Sequence, residues 1–208
     1  MLVQLESERD FLDAVITGYE SWAFQYDPEI KRQSSERHTA NSPRSKKARM
    51  SKSEVKTIFI VSFDKRGVAH KEFVPSGGTV NAAFYKEVLD LLHRAVKRKR
   101  PDIADRWKLH HNNVVAHTAF AVTTYLARIE VVTLRQPLYS PDASPTDLLL
   151  FPKLKRSLKG HLFDNGMPTI SKVCDPCEAG WQRNRIPWFP VRWSLWRFTA
   201  AEAACEAV

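Results

Sequence analysis

Cysteine is scarce in this chain: three among 208 residues, at Cys174, Cys177 and Cys205. Three, all near the C-terminus, cannot build a disulfide framework, and a reducing interior suits them better. Cys174 and Cys177 form a CxxC with no second pair, which leaves them short of a structural zinc site. Long apolar runs are missing as well. Charge or proline interrupts each cluster before the roughly 20 residues that a bilayer span needs, so no membrane partner is expected. The opening MLVQLESERDFLDAV carries acid where a secretory leader needs a basic start, and no cleavage pattern follows. An intracellular protein is the expectation. Acidic residues are in deficit, with 23 Asp and Glu against 32 Lys and Arg, a formal charge of +9. Such an excess favours a polyanionic partner, with nucleic acid first.

The apolar pattern predicts an α/β chain. Residues 6–14 have helical character. The run AVITGYESWAFQYDP, rich in β-branched and aromatic residues, reads as a strand limited by Pro28. Residues 31–56 are polar and basic, a long loop. KTIFIVSFDKRGVAHKEFVP reads as a hairpin turning at Asp64-Lys65-Arg66-Gly67. A helix follows, capped by Asn81 and ended by Pro101, with Phe84, Val88, Leu91, Leu92 and Val96 as its apolar stripe. WKLHHNN is a strand, HTAFAVTTYLARI a helix, EVVTLRQP a strand. TDLLLFPKLKRSLKG opens a last helix, with Asp147 in its first turn and Gly160 as its stop. Three antiparallel strands followed by alternating units imply a mixed sheet with helices packed on it.

Two segments carry chemistry. LHHNNVVAHTA spans 109–119, and YSPDASPTDLLLFPKLK spans 139–155. Together with ITGYESW at 16–22, SPRSKKARMSKS and HKEFVPSGGTVNAAFY, they resemble the catalytic domain of mariner-family DNA transposases over about residues 5–173. The resemblance implies a ribonuclease-H-like fold and, in the family, cut-and-paste transposition using Mg²⁺ or Mn²⁺. It places the family's three metal-binding Asp positions at Tyr19, Asn112 and Asp147. Between Asn112 and Asp147 lie 34 residues (113–146), the family's own interval.

Only Asp147 is still a carboxylate. Two dications about 4 Å apart stabilise attacking and leaving oxygens, and such hard cations want anionic oxygen. Tyr19 is a neutral phenol. Asn112 keeps a carbonyl oxygen but no charge, so it is at best a weak metal ligand beside Asp147. Glu20 is not expected to substitute, because neighbouring strand residues face opposite sides. Each loss costs about 10²–10³ in rate by analogy with other electrostatic groups. Catalytic inactivity is therefore the expectation. The rival is a non-catalytic DNA-binding or protein-interaction module derived from such a domain; a third is a chain that does not fold stably.

His110, His111 and His117 are read as strand and helix residues rather than a metal cluster. PRSKKAR at 43–49 is a basic run that suits nuclear import or phosphate contact. Arg44, Lys46, Lys47, Arg49 and Lys52 are the expected DNA-contacting side chains, with non-specific, salt-sensitive binding. The family also implies a homodimer and a nuclear location. An N-terminal DNA-reading module, usual in the family, is not found in this sequence. Residues 1–173 form the expected domain, including the basic loop 31–56. Residues 174–208 hold four of the six Trp and all the Cys, without sustained periodicity. They are expected to be a poorly packed tail.

Overall fold

The computed structural model describes residues 11–35, 50–75, 77–137 and 144–163. The four proposed DNA-contacting side chains at 44, 46, 47 and 49, and the whole tail 174–208, lie outside the described residues.

Five strands form one sheet in the order β3-β2-β1-β4-β5. They are β1 (Val15–Phe24), β2 (Lys56–Asp64), β3 (Gly67–Phe73), β4 (Lys108–His111) and β5 (Val132–Arg135). β1 pairs antiparallel with β2, and β2 with β3. β1 pairs parallel with β4, and β4 with β5. The mixed sheet expected from the order of elements is present. The β2–β3 turn is tight because Gly67 takes φ 129, a backbone conformation other residues rarely adopt. Asp64 Oδ1 accepts from the Arg66 and Gly67 amides at 2.8 and 3.0 Å. The Asp64 carboxylate also binds the Arg100 guanidinium, Nε to Oδ2 at 2.6 Å, tying the hairpin to the end of the first helix.

That helix, α1 (Ala82–Lys99), starts at Asn81, whose side chain accepts from the Phe84 amide at 2.9 Å. Its buried face is Tyr85, Val88, Leu89, Leu92, Ala95 and Val96. The expected stripe is therefore partly corrected: Leu91 faces solvent and Phe84 is half-buried. Tyr85 and Leu89 take the inward positions because they continue the i, i+3/i+4 spacing through Leu92 and Val96. The expected helix at 117–129 is two pieces, α2 (Val115–Thr118) and α3 (Phe120–Arg128). Ala119, extended at ψ 146, separates them. Of the N-terminal helix expected over 6–14, the described part is one 3₁₀ turn, Phe11–Ala14.

The last helix begins as a π turn, Thr146–Leu150, and continues as α4 (Phe151–Leu158). Gly160, at φ 83, lies just past its end. Strand alternation divides the core. Val15, Tyr19, Ala23, Phe59, Val61 and Phe63 pack with Phe151, Leu154 and Leu158 of α4. Ile16, Ile60 and Leu109 pack with α1 and α3. The sheet is thus covered by helices on both faces.

Candidate catalytic site

Tyr19 sits at the middle of β1, 3% exposed, on the α4 face. Its hydroxyl donates to the side-chain oxygen of Gln136, just past β5. Its ring lies 5.7 Å from that of His110. Burial, above all, pushes the phenol well above its usual range; the Asp147 and Glu20 carboxylates push the same way, while a hydrogen bond with Ser144 acts against them. Tyr19 is therefore a neutral hydrogen-bond donor at neutral pH.

Asn112 follows β4 and turns its side chain to the other face. Nδ2 lies 3.4 Å from Glu20 Oε1. Oδ1 accepts from the Val114 amide, also at 3.4 Å. This amide orientation satisfies both neighbours; the flipped one would set oxygen against carboxylate. What Asn112 lacks for a cation is charge: its oxygen accepts only a long contact from backbone N–H and keeps a second lone pair.

Glu20, beside Tyr19 in sequence, faces α1 and α2. Its Oε2 is 3.3 Å from His117 Nε2, although neither atom completes a hydrogen bond. His117 is buried and stacks on Tyr85 at 3.7 Å. His111, parallel to His117 at 5.3 Å, meets the Tyr85 hydroxyl through Nδ1 at 2.9 Å. Desolvation raises the Glu20 pKa; Asn112 opposes the shift and Asp147 adds to it. Burial lowers His110 and His117 to about 4 and His111 to about 3, so all three are neutral at pH 7.

Asp147 is exposed, in the first π turn. Its amide donates to Ser144 Oγ at 3.3 Å, and Ser144 in turn meets Thr146 Oγ1 at 2.8 Å. Asp147 acts electrostatically on Tyr19, Glu20 and Lys155. Tyr19, Glu20 and Asp147 thus share one electrostatic neighbourhood, and Asn112 joins it through Glu20.

Can these groups hold two divalent cations? The donor set does not fit. At the three family positions it offers one exposed carboxylate, a buried phenol engaged with Gln136 and a neutral amide, and the nearby Glu20 carboxylate is turned to Asn112 and His117, too little anionic oxygen for two dications. Among the described residues no group of three or more His, Cys, Asp or Glu is arranged to hold a metal ion.

Lys52, the one described member of the expected DNA-contacting set, stands over the Phe24 ring at 3.7 Å. Half-exposed Trp22 lies beside it, with Lys56 and Lys155 at 5.5 and 5.7 Å from its ring. Trp22, Phe24, Lys52 and Lys155 help to line a small cleft of about 60 Å³.

The sequence reading missed Gln136, Lys56, Lys155 and the part Glu20 plays. Gln136 had a signal: it follows a parallel strand, and residues just past the carboxyl ends of parallel strands line sites in α/β folds. Trp22, Lys56 and Lys155 come from three elements, and no local spacing links them.

A mixed β3-β2-β1-β4-β5 sheet, with the site where β1, the end of β4 and a helix start meet, defines a ribonuclease-H-like fold. A family model described as transposase (partial DDE domain) matches residues 27–106. Mariner Mos1 transposase of Drosophila mauritiana is 33% identical over 168 residues, 79% of this chain and 48% of that protein. The chain belongs to the mariner transposase family and spans about half the length of this relative. The human histone-lysine N-methyltransferase SETMAR is 25% identical over 166 residues, 79% of this chain and 24% of that protein. Among solved structures, the catalytic domain of Mos1 mariner transposase is similar with TM-score 0.70 and 29% identity, over 95% of this chain and 87% of that one. The Mos1 mariner paired end complex with Mn matches with TM-score 0.78 and 32% identity, over 95% of this chain and 58% of that chain.

Proposed function

We propose that this chain is a mariner-type catalytic domain that binds DNA but does not cut it. The ancestral reaction is cut-and-paste transposition by metal-dependent phosphodiester hydrolysis and strand transfer. One observation carries the reading: at a family metal position Asn112 is a neutral amide that presents its NH₂ to Glu20. With Tyr19 a buried neutral phenol, Asp147 is the one carboxylate left at the family's metal positions. Mg²⁺ or Mn²⁺ binding, a property of the family, is weak or absent here.

DNA is the partner that the charge favours, at +9 overall. Lys52, Lys56 and Lys155 beside Trp22 and Phe24 give cations for phosphate and an aromatic face for a base. Binding of this kind is insensitive to sequence and weakens with salt. Structures of the Mos1 relative include a paired-end complex with the left transposon end. By that likeness, a homodimer on DNA and a nuclear site of action belong to the same proposal. The alternative is a protein-interaction module, for which the exposed apolar side chains of Val115 and Phe120 would be the contact.

The test is plasmid nicking. The chain is incubated with supercoiled DNA and Mg²⁺ or Mn²⁺, beside Tyr19→Asp/Asn112→Asp. The unmodified chain is expected to match the chelated control. Metal-dependent nicking by the unmodified chain overturns the reading.

A further inference from the structure

Position 112 is held from one side by a residue at none of the three family ligand positions. Glu20 Oε1 faces Asn112 Nδ2 at 3.4 Å, and Glu20 Oε2 faces His117 Nε2 at 3.3 Å. Behind His117 stands Tyr85, stacked at 3.7 Å, and behind Tyr85 the packed face of α1. His117 is 1% and Tyr85 2% exposed, so Glu20 is backed by buried groups. The strand fixes its backbone: Glu20 is in register with Ile60 of β2.

We infer that Glu20 is a positioning residue that sets which atom of the side chain at 112 faces the site. A carboxylate can only accept, so it selects the NH₂ end of Asn112 and turns Oδ1 to the Val114 amide. The Val114 amide favours the same orientation from the other end, and Glu20 adds to it by accepting from the NH₂. With an aspartate at 112, one oxygen would still accept from Val114, and the other would stand where Nδ2 now is. Two carboxylates would then meet at about the present 3.4 Å, an unfavourable pairing without a cation between them. Asn112 and Glu20 are therefore a matched donor and acceptor. The pairing is independent of whether the chain cuts DNA.

An exchange of donor and acceptor tests this through thermal stability, read without metal and without any assay of activity. Asn112→Asp is expected to lower Tm by roughly 3–6 °C. Glu20→Gln is expected to cost less, because a glutamine amide can still accept from Asn112. The double variant Glu20→Gln/Asn112→Asp restores one donor and one acceptor with their places exchanged. It is expected to melt above Asn112→Asp, because the amide introduced on β1 then donates to the carboxylate introduced after β4. A double variant no more stable than Asn112→Asp overturns the inference, since residues that do not touch add their losses. If Asn112→Asp does not fold, the cycle of Glu20→Ala, Asn112→Ala and their double decides. A double loss smaller than the sum supports the pairing, and a full sum refutes it.

Discussion

The phenol of Tyr19 donates to the side-chain oxygen of Gln136, 117 positions further along the chain. β1 is thereby joined to the segment that follows β5, across the carboxyl end of β4. By the resemblance of ITGYESW to the mariner family, position 19 corresponds to a metal carboxylate. Here it carries a buried ring, in one apolar cluster with Phe151 and Leu154, with its one polar atom satisfied by protein. Tyr19→Phe is expected to cost about 1 kcal/mol, the net worth of one hydrogen bond. Tyr19→Asp removes the buried ring and sets a carboxyl near those of Asp147 and Glu20, and should cost roughly 3 kcal/mol or more. Urea denaturation checks both. Equal losses for the two variants would show that the ring contributes nothing.

Salt dependence reads the DNA surface. With about five phosphates neutralised, log K against log salt should fall with a slope of roughly −4 to −5 on duplex DNA. Replacing Lys52, Lys56 and Lys155 by Gln should flatten it by up to about 2.7, at roughly 0.9 for each phosphate no longer neutralised. Replacing Lys46, Lys47 and Arg49 tests the basic run separately. Fluorescence anisotropy at graded salt is the measurement, and a slope near zero in the unmodified chain would contradict phosphate binding.

The buried imidazoles predict loss of stability in acid. His110, His111 and His117 have pKa values lowered to about 4, 3 and 4 in the folded chain, against about 6.5 when unfolded. Between those values the unfolded chain binds more protons. Stability is therefore full above pH 6.5 and falls as pH drops towards 4, by up to about 1.4 kcal/mol per pH unit for each imidazole. Melting curves from about pH 7.5 to 4.5 span this window, and His117→Gln should flatten the profile. A Tm unchanged between about pH 7 and 5 would show that the three rings titrate normally.

Asp64 and Asp102 make two ion pairs of unequal weight. Asp64 is fully buried, receives Arg100 and caps its own turn. Asp64→Ala should cost about 3–5 kcal/mol, because it leaves a half-buried guanidinium unpaired and two turn amides unsatisfied. Asp102 pairs with Arg66 at the surface, and Asp102→Ala should change stability little. Chemical denaturation of the two variants decides, and equal effects would contradict the burial difference.

Much of the sheet was legible from local pattern. β1 shows in the β-branched and aromatic run around Tyr19, the hairpin in Asp64 to Gly67, and α1 in Asn81 and Pro101. These signals are short-range, set by side-chain alternation, caps and turn chemistry. The break at Ala119 was not legible, because HTAFAVTTYLARI has helical composition throughout and no Gly or Pro to interrupt it. The stripe of α1 was misread at Leu91, since leucines at 89, 91 and 92 leave the phase ambiguous and packing against the sheet settles it. The positions Tyr19, Asn112 and Asp147 came from motif order. Their partners did not: Glu20, Gln136 and Lys155 reach the site through the crossing of strands and helices, which no interval in the sequence records.

Direct measurement of Mn²⁺ binding tests the central claim, that the catalytic positions no longer hold divalent cations. The chain is titrated with Mn²⁺ and the free-ion signal followed by electron paramagnetic resonance, beside Tyr19→Asp/Asn112→Asp. The expected result is a free-ion signal undiminished by the unmodified chain, and a measurable decrease with the double variant. Stoichiometric depletion of free Mn²⁺ by the unmodified chain, abolished by Asp147→Asn, would contradict it.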